Sequence, residues 1–277
     1  AGAIAGGRVL RMAVVRQIGL GESEAAERLG ALMERSVNPL VGTTASGGIV
    51  SARIRAEGEP NEAARLCSAA MASVRFAWAP YAYGEGETTL AEALHALLRG
   101  TGETPSTVAT AESCTGGLLA SMLVEPAGAS ELVRGGWVTY TNEMKVSELG
   151  VDPALIATHG AVSEPVVRAM AAGAVVRAGA TFSLAISGIA GPSGGTPAKP
   201  VGTVWIALAD ARTLPLRTDA RCFRIGGSRD DIRDRSARLA LQMLRLHILG
   251  ESARPLLWQL EARGSGIDGP ADSGVNS

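Results

Sequence analysis

The sequence predicts an α/β protein, with a three-layer α/β/α domain built on a mixed sheet and a small α+β domain ahead of it. Two patterns carry the larger domain. Strand-like apolar runs at residues 107–111, 137–140, 182–187, 203–209 and 221–225 mostly alternate with helical segments. Several of these runs end in polar or glycine-rich loops, as expected where a sheet gathers a site along its carboxyl edge. A third observation is bulk: 277 residues with 46% hydrophobic content can fill one large or two ordinary cores. The expected division is 1–84 for the small domain, 85–249 for the large one and 250–277 for a C-terminal extension.

In the small domain, residues 10–15 read as a strand. Gly21-Glu22-Ser23-Glu24 reads as a helix start capped by Ser23, with Ala26, Leu29, Leu32 and Met33 following at helical spacing. Residues 38–46 read as a turn-rich link. Residues 48–56 alternate like a strand, with Val50, Ala52, Ile54 and Ala56 on one face and Ser51, Arg53 and Arg55 on the other. A helix is expected over 59–74.

In the large domain, Thr110-Ala111-Glu112-Ser113-Cys114-Thr115-Gly116-Gly117 joins a strand to a helical run, which sets Ser113 at the turn between them. A helix start leaves backbone N–H groups unpaired, and those near Thr115 to Gly117 could hold the charge that develops on a carbonyl oxygen during acyl transfer. A serine that merely caps the helix is the other reading. Cys114, one step along, points elsewhere and reads as a small buried residue.

Residues 136–145 pass from a short strand into a polar segment, possible as a helix start, that ends near Gly150 and carries Tyr140, Asn142, Glu143 and Lys145. The 182–187 run is broken by Gly188-Ile189-Ala190-Gly191-Pro192-Ser193-Gly194-Gly195. Glycines admit left-handed backbone and close approach, so successive N–H groups can converge on an anion, with Ser187 and Ser193 adding hydroxyls. A plain strand-to-helix link is the other reading. The loop is neither a Walker loop nor a dinucleotide fingerprint. Residues 169–180 form an Ala-rich stretch interrupted by Arg177, which fits a buried or half-buried helix better than a membrane span. From Arg217 to Arg238 seven arginines and four aspartates mix at helical spacing, the usual mark of a solvated, ion-paired face.

Four of these segments resemble the CinA carboxy-terminal domain family, the nicotinamide-nucleotide amidases. They are Ala111 to Gly117, Val138 to Lys145, His159-Gly160-Ala161-Val162-Ser163-Glu164, and Ser187 to Gly195 followed by Lys199-Pro200-Val201-Gly202-Thr203-Val204-Trp205. The resemblance implies hydrolysis of nicotinamide mononucleotide to nicotinate mononucleotide and ammonia, without a cofactor. It implies Ser113 as nucleophile, Lys145 as the group that handles its proton, and Tyr140 as their companion, although a packing role for Tyr140 stays open. Substrate contacts are expected at Thr115, Gly116, Gly117, Asn142, Ser187, Gly188, Gly191, Gly194 and Gly195. Asn142 and Glu143 could instead cap the helix or orient Lys145. Arg229 or Arg233, in a segment that resembles a helix start, is a candidate for phosphate or for a partner subunit, and a homodimer is implied.

The first unit resembles the linker domain of full-length CinA proteins, similar to a KH module. The matching segments are Gly19-x-Gly21-Glu22-Ser23-Glu24 and Asn38-Pro39-x-Val41-Gly42-x-x-Ala45, with Gly84-x-Gly86-x-Thr88-x-Leu90 at the junction. The domain that precedes this linker in the full-length pattern, associated with ADP-ribose pyrophosphatase activity, is expected to be absent from this chain.

Other chemistries are disfavoured. His95, His159 and His247 show no metal-ligand spacing, and Cys67, Cys114 and Cys222 form no CxxC pair, so no metal site is expected. A net charge of -1 and 4% aromatic content argue against a nucleic-acid partner. The scattered cysteines, the lack of a long apolar run and the lack of a signal-peptide order predict a cytoplasmic protein with no membrane partner. In the C-terminal extension, Leu256, Leu257, Trp258 and Leu260 are expected to pack as a short helix, with fraying from Gly264. A nucleotide-binding scaffold without turnover is the alternative function.

Overall fold

The computed structural model describes residues 2–3, 7–100 and 102–261. The expected fraying from Gly264 lies outside the described residues. The first unit comprises β1 (Gly2–Ala3), β2 (Val9–Ile18), α1 (Glu22–Leu29), β3 (Leu40–Ser46), β4 (Ile49–Gly58), α2 (Pro60–Trp78) and β5 (Ala82–Glu85). Its strands form an antiparallel sheet in the order β1-β2-β4-β3, with β5 also on β2. The alternation expected in β4 holds, since Val50, Ala52, Ile54 and Ala56 are all buried.

Two local expectations fail here. Residues 38–46 are not a link, because Leu40–Ser46 pairs along its whole length with β4. The turn at Gly47-Gly48, with φ of 59° and 84°, folds the strand back in a conformation that side chains rarely allow. The polar composition of this strand reflects its position at the sheet edge, with only Val41 buried. Ser23 is not a cap either; Gly21 holds that position and Ser23 lies inside α1. In addition, α2 runs on to Trp78, whose buried indole N–H donates to Ala25 O at 2.9 Å and ties the two helices.

The second unit comprises α3 (Leu90–Arg99), β6 (Val108–Glu112), α4 (Leu118–Val124), β7 (Val133–Val138), α5 (Asn142–Leu149), α6 (Pro153–His159), α7 (Glu164–Ala178), β8 (Phe182–Gly188), β9 (Thr203–Asp210), β10 (Arg217–Arg224) and α8 (Arg229–Ile248). The sheet order is β10-β9-β8-β6-β7. It is mixed: β6 runs parallel to β7 and β8, whereas β9 is antiparallel to β8 and β10.

Side-chain size sorts the two faces of this sheet. Ala109, Ala111, Ala185, Ala207 and Ala209 point to one face and pack with Val166, Val167, Met170 and Ala174 of α7. Val108, Leu184, Ile186, Val204, Ile206 and Leu208 point to the other, where α8 supplies Leu239, Leu241 and Leu244. The period of two along each strand thus builds two unlike cores and three layers.

Two boundaries move. The strand expected at 137–140 is Val133–Val138, so Tyr140 lies beyond it. The run expected at 221–225 begins at Arg217, because the polar residues before Arg221 complete the pairing with β9. The short helix expected around Leu256 is absent. Leu256 is buried, but the segment forms a turn and a bridge between Phe223 and Gln259, with Arg224 N donating to Trp258 O and Leu260 N to Cys222 O. Backbone pairing to β10 takes the place of helical bonds. Among the described residues no helix is long and apolar enough to cross a membrane.

Candidate active site

Ser113 follows the buried end of β6, and its N–H donates to Ile186 O of β8 at 2.9 Å. The five residues Ser113 to Gly117 turn the chain into α4, with Gly117 in a left-handed conformation at φ 94° as the helix cap. Gly188, at the end of β8, brings the start of the glycine loop against this turn. A Cβ there would stand 3.1 Å from Cys114 Sγ and 2.8 Å from a Val204 methyl, so the close approach needs glycine.

The helix start is not available to a substrate in the way the sequence suggests. Glu112, fully buried, accepts from the N–H groups of Gly117 (3.0 Å), Leu119 (3.0 Å) and Ala120 (2.8 Å). The Gly116 N–H donates to Ser113 O at 3.1 Å. An acidic side chain thus neutralises the positive end of α4, as expected for a helix N-terminus. Donation to an oxyanion by Gly116 and Gly117 is therefore corrected. The N–H groups of Cys114 and Thr115 remain: that of Thr115 donates to no protein group among the described residues, and that of Cys114 meets only its own thiol. The Thr115 hydroxyl is also buried without a hydrogen-bond partner.

Lys145 comes in from α5. It is only 1% exposed, and its Nζ lies 3.2 Å from Ser113 Oγ. The ammonium nitrogen is held by Thr139 O at 2.8 Å and Thr141 O at 3.5 Å. Burial draws its pKa below the ordinary lysine value, partly opposed by Cys114 and Glu143. Thr141 caps α5 by accepting from Met144 N at 3.3 Å. Asn142 and Glu143 are exposed members of the first turn; Thr141 and not either of them holds the cap position, the Glu143 carboxylate accepts from its own N–H and the Thr141 hydroxyl, and neither residue bonds Lys145. Cys114 is buried, and burial pushes its thiol up to about 12, which leaves it inert beside Ser113.

Two arginines of α8 reach the same region. Arg229 donates to Gly191 O in the glycine loop at 2.7 Å and to the Tyr140 hydroxyl at 3.0 Å. Arg233 donates to Thr115 O in the Ser113 turn at 3.0 Å and to Asp230 at 3.3 Å. The wholly solvated reading of this arginine run is corrected for these two, while Arg235 and Arg238 do pair along the helix with Asp231 and Asp234. Tyr140 is 57% exposed, so the packing reading fails; its hydroxyl accepts from Arg229.

The glycine loop is partly as expected. Gly191 and Gly194 have positive φ, and a Cβ at Gly195 would stand 2.8 Å from Val201 N. The N–H groups of Ser193, Gly194 and Gly195 donate to no protein group among the described residues, in a segment exposed from 192 to 198. Ser187 is different. Its hydroxyl is spent on Ala161 O at 2.7 Å in the connection ahead of α7, so it does not face an anion. Lys199 anchors the far side of the loop by donating to His159 O at 2.8 Å.

The sequence reading missed Glu112. The available signal was an acidic residue ending a strand otherwise made of buried small residues, directly before a helix. Among the described residues no group of three or more His, Cys, Asp or Glu stands close enough to hold a metal ion.

Comparison with known proteins assigns both units. The CinA C-terminal domain matches residues 87–248, and the damage-inducible protein CinA KH domain matches 13–84. A CinA-like protein of Kosmotoga olearia is 40% identical over 242 residues, covering 87% of this chain and 57% of that protein. A CinA-like protein of Mycobacterium tuberculosis is 50% identical over 175 residues, covering 62% of this chain and 38% of that one. The chain thus spans little more than half the length of the first of these relatives, and less of the second. Among solved structures, the competence/damage inducible protein CihA from Agrobacterium tumefaciens is 41% identical with a TM-score of 0.54, covering 58% of this chain and 93% of that one. A CinA superfamily protein from Klebsiella pneumoniae is 33% identical with a TM-score of 0.53, covering 59% and 99%.

Proposed function

Because the chain belongs to the CinA family, we propose that it is an amidohydrolase that converts nicotinamide mononucleotide to nicotinate mononucleotide and ammonia. The observation that carries this reading is the contact of 3.2 Å between Lys145 Nζ and Ser113 Oγ, with the lysine buried. A serine hydroxyl becomes a nucleophile when a base takes its proton, and a desolvated lysine can serve.

In the proposed reaction, neutral Lys145 accepts the Ser113 proton while Oγ attacks the carboxamide carbon. The N–H groups of Cys114 and Thr115 receive the developing oxyanion. Lys145 then returns the proton to the amide nitrogen, the C–N bond breaks and ammonia leaves. Water attacks the resulting ester, its proton passes through Lys145 back to Ser113, and the carboxylate is released. Glu112, accepting from Gly117 N, and Arg233, donating to Thr115 O, hold the turn in this arrangement. Arg229 and the N–H groups of Ser193 to Gly195 suit the 5′-phosphate, a dianion that needs convergent donors.

Ammonia release from nicotinamide mononucleotide by the purified chain tests the proposal. Activity in the parent protein that is lost in Ser113→Ala supports it. Tight binding of the nucleotide with no ammonia from either protein would support a scaffold instead. The exposed Val138, Tyr140 and Met144 beside the edge strand β7 suit a contact between two subunits, which sedimentation of the chain would test. Its three free cysteines fit a reducing, cytoplasmic setting.

A further inference from the structure

At the opposite end of the sheet from Ser113, three residues from separate places in the chain form a relay. Asp210 ends β9 and pairs in register with Phe182, the first residue of β8, whereas Ser113 follows the strand end that pairs with Ile186. His247 lies in the last turn of α8, and Ser252 in the turn after it. Asp210 Oδ2 is 2.7 Å from His247 Nε2, and His247 Nδ1 is 2.9 Å from Ser252 Oγ.

We propose that Ser252, His247 and Asp210 form a second acyl-transfer site, for a small carboxylic ester. Chemistry of this kind needs one ring nitrogen to carry a proton bonded to a carboxylate, and the other to present its lone pair to the hydroxyl. Here the carboxylate takes Nε2–H, which leaves Nδ1 as the base toward Ser252. Asp210 is itself fixed: its carboxylate accepts from Arg212 Nε and Nη2, the latter at 2.7 Å, and from Arg212 N at 2.9 Å. The imidazole edge packs against Phe182 with ring centroids 5.8 Å apart, which holds its plane.

The nucleophile's turn is also held. Arg221 donates to Ser252 O and, at 2.9 Å, to Arg254 O. The N–H groups of Ser252 and Ala253 donate to no protein group among the described residues, so the turn can offer them to an oxyanion. Asp210, His247 and Ser252 share with Arg217 and Thr218 the lining of a cavity of about 360 Å³. That volume lies in the range of small-ligand sites. Ser252 falls outside the residues that match the CinA C-terminal domain, so this cluster is distinct from the family segments that meet at Ser113.

The reaction balances with water alone as co-reactant. Ser252 Oγ attacks the ester carbonyl and His247 Nδ1 takes the hydroxyl proton. The tetrahedral centre collapses, the C–O bond to the alcohol breaks, and the leaving alkoxide takes the proton from Nδ1. Water then attacks the acyl-serine, gives its proton to Nδ1, and the acid departs as that proton returns to Ser252. Asp210 acts as a positioning residue through the imidazole.

The test removes the first serine so that only the second can respond. Ser113→Ala protein is incubated with para-nitrophenyl acetate, and separately with a fluorophosphonate whose adduct is mapped by peptide mass. The expected result is ester turnover, together with one phosphonyl adduct on Ser252; both are lost in Ser113→Ala/Ser252→Ala protein of unchanged melting temperature. Equal ester turnover in the two proteins or no adduct on Ser252 would each overturn the proposal.

Discussion

Lys145 shows how one residue's environment sets its chemistry. At its reference pKa of about 10.4 a lysine is almost wholly protonated at neutral pH and is a poor base. Burial disfavours the charged form and lowers the pKa, so the neutral amine gains population near neutrality. The sign for activity follows: turnover should rise with pH along an acid limb whose midpoint lies below the ordinary lysine value. Lys145→Arg keeps the charge but cannot deprotonate, so kcat should fall by about three orders of magnitude. The sign for stability also follows. Between the lowered folded pKa and about 10.4 the unfolded chain binds more protons than the native one, so stability should rise with pH across that window. Denaturation midpoints that ignore pH there, or full activity in Lys145→Arg, would remove Lys145 as the base. Tyr140 and Arg229 separate binding from chemistry. Tyr140→Phe removes only the acceptor for one Arg229 bond, so steady-state kinetics should show KM raised and kcat nearly kept.

Glu112 makes a second prediction at this scale. Its buried carboxylate serves three N–H donors, and an amide cannot accept from all of them without turning an NH₂ toward one. Urea denaturation of Glu112→Gln should show a loss of about 2–4 kcal/mol. The turn that carries Ser113 should loosen with it, so kcat should fall even where the protein stays folded.

At the scale of elements, Gly173 explains how α7 and α5 pack. Inside a helix glycine costs about 1 kcal/mol relative to alanine, so in an Ala-rich stretch it looks like a defect. Its Cβ, if present, would stand 2.0 Å from Leu149 O at the end of α5. Backbone of one helix sits directly on the other, and α5 carries Lys145. Gly173→Ala should therefore destabilise rather than stabilise, by about 1–3 kcal/mol of overpacking, and should lower activity by displacing the lysine. Thermal melting together with ammonia release checks both parts. The strands show the complementary case. β4 is legible because apolar residues alternate against a core, whereas β3 is polar at an edge and was hidden until its pairing partner was known.

Across the whole molecule, α8 joins the two units. Gln242 donates to Ile18 O at 2.9 Å, and Arg245 donates to Pro80 O at 2.8 Å and Ala82 O at 2.6 Å. Arg245 has no carboxylate partner among the described residues, and burial lowers it to about 10. The C-terminal strap adds Leu257 N to Gly19 O at 2.7 Å and Tyr81 hydroxyl to Pro255 O at 2.8 Å. One apolar cluster runs through these contacts, from Val15, Ile18 and Trp78 to Leu241, Leu244 and Leu256. Arg245→Ala would take the donor from two half-buried carbonyls and should cost about 1–3 kcal/mol. Calorimetry should show one transition in the parent and a lower, broader one in the variant.

The sequence by itself determined what depends on neighbours along the chain. Period-two and helical patterns defined the α/β class, and the strand-to-helix turn located Ser113, with Lys145 on the helix that ends at Gly150. What it could not determine is which polar groups remain free once the chain closes on itself. A backbone N–H is open to a ligand only if no other part of the fold reaches it. Glu112 claims the start of α4, Ala161 takes the Ser187 hydroxyl, and arginines 118 and 89 residues away engage Thr115 and Tyr140. These outcomes depend on side chains brought together by packing of the layers, because hydrogen bonds are satisfied across the whole fold and not along the sequence.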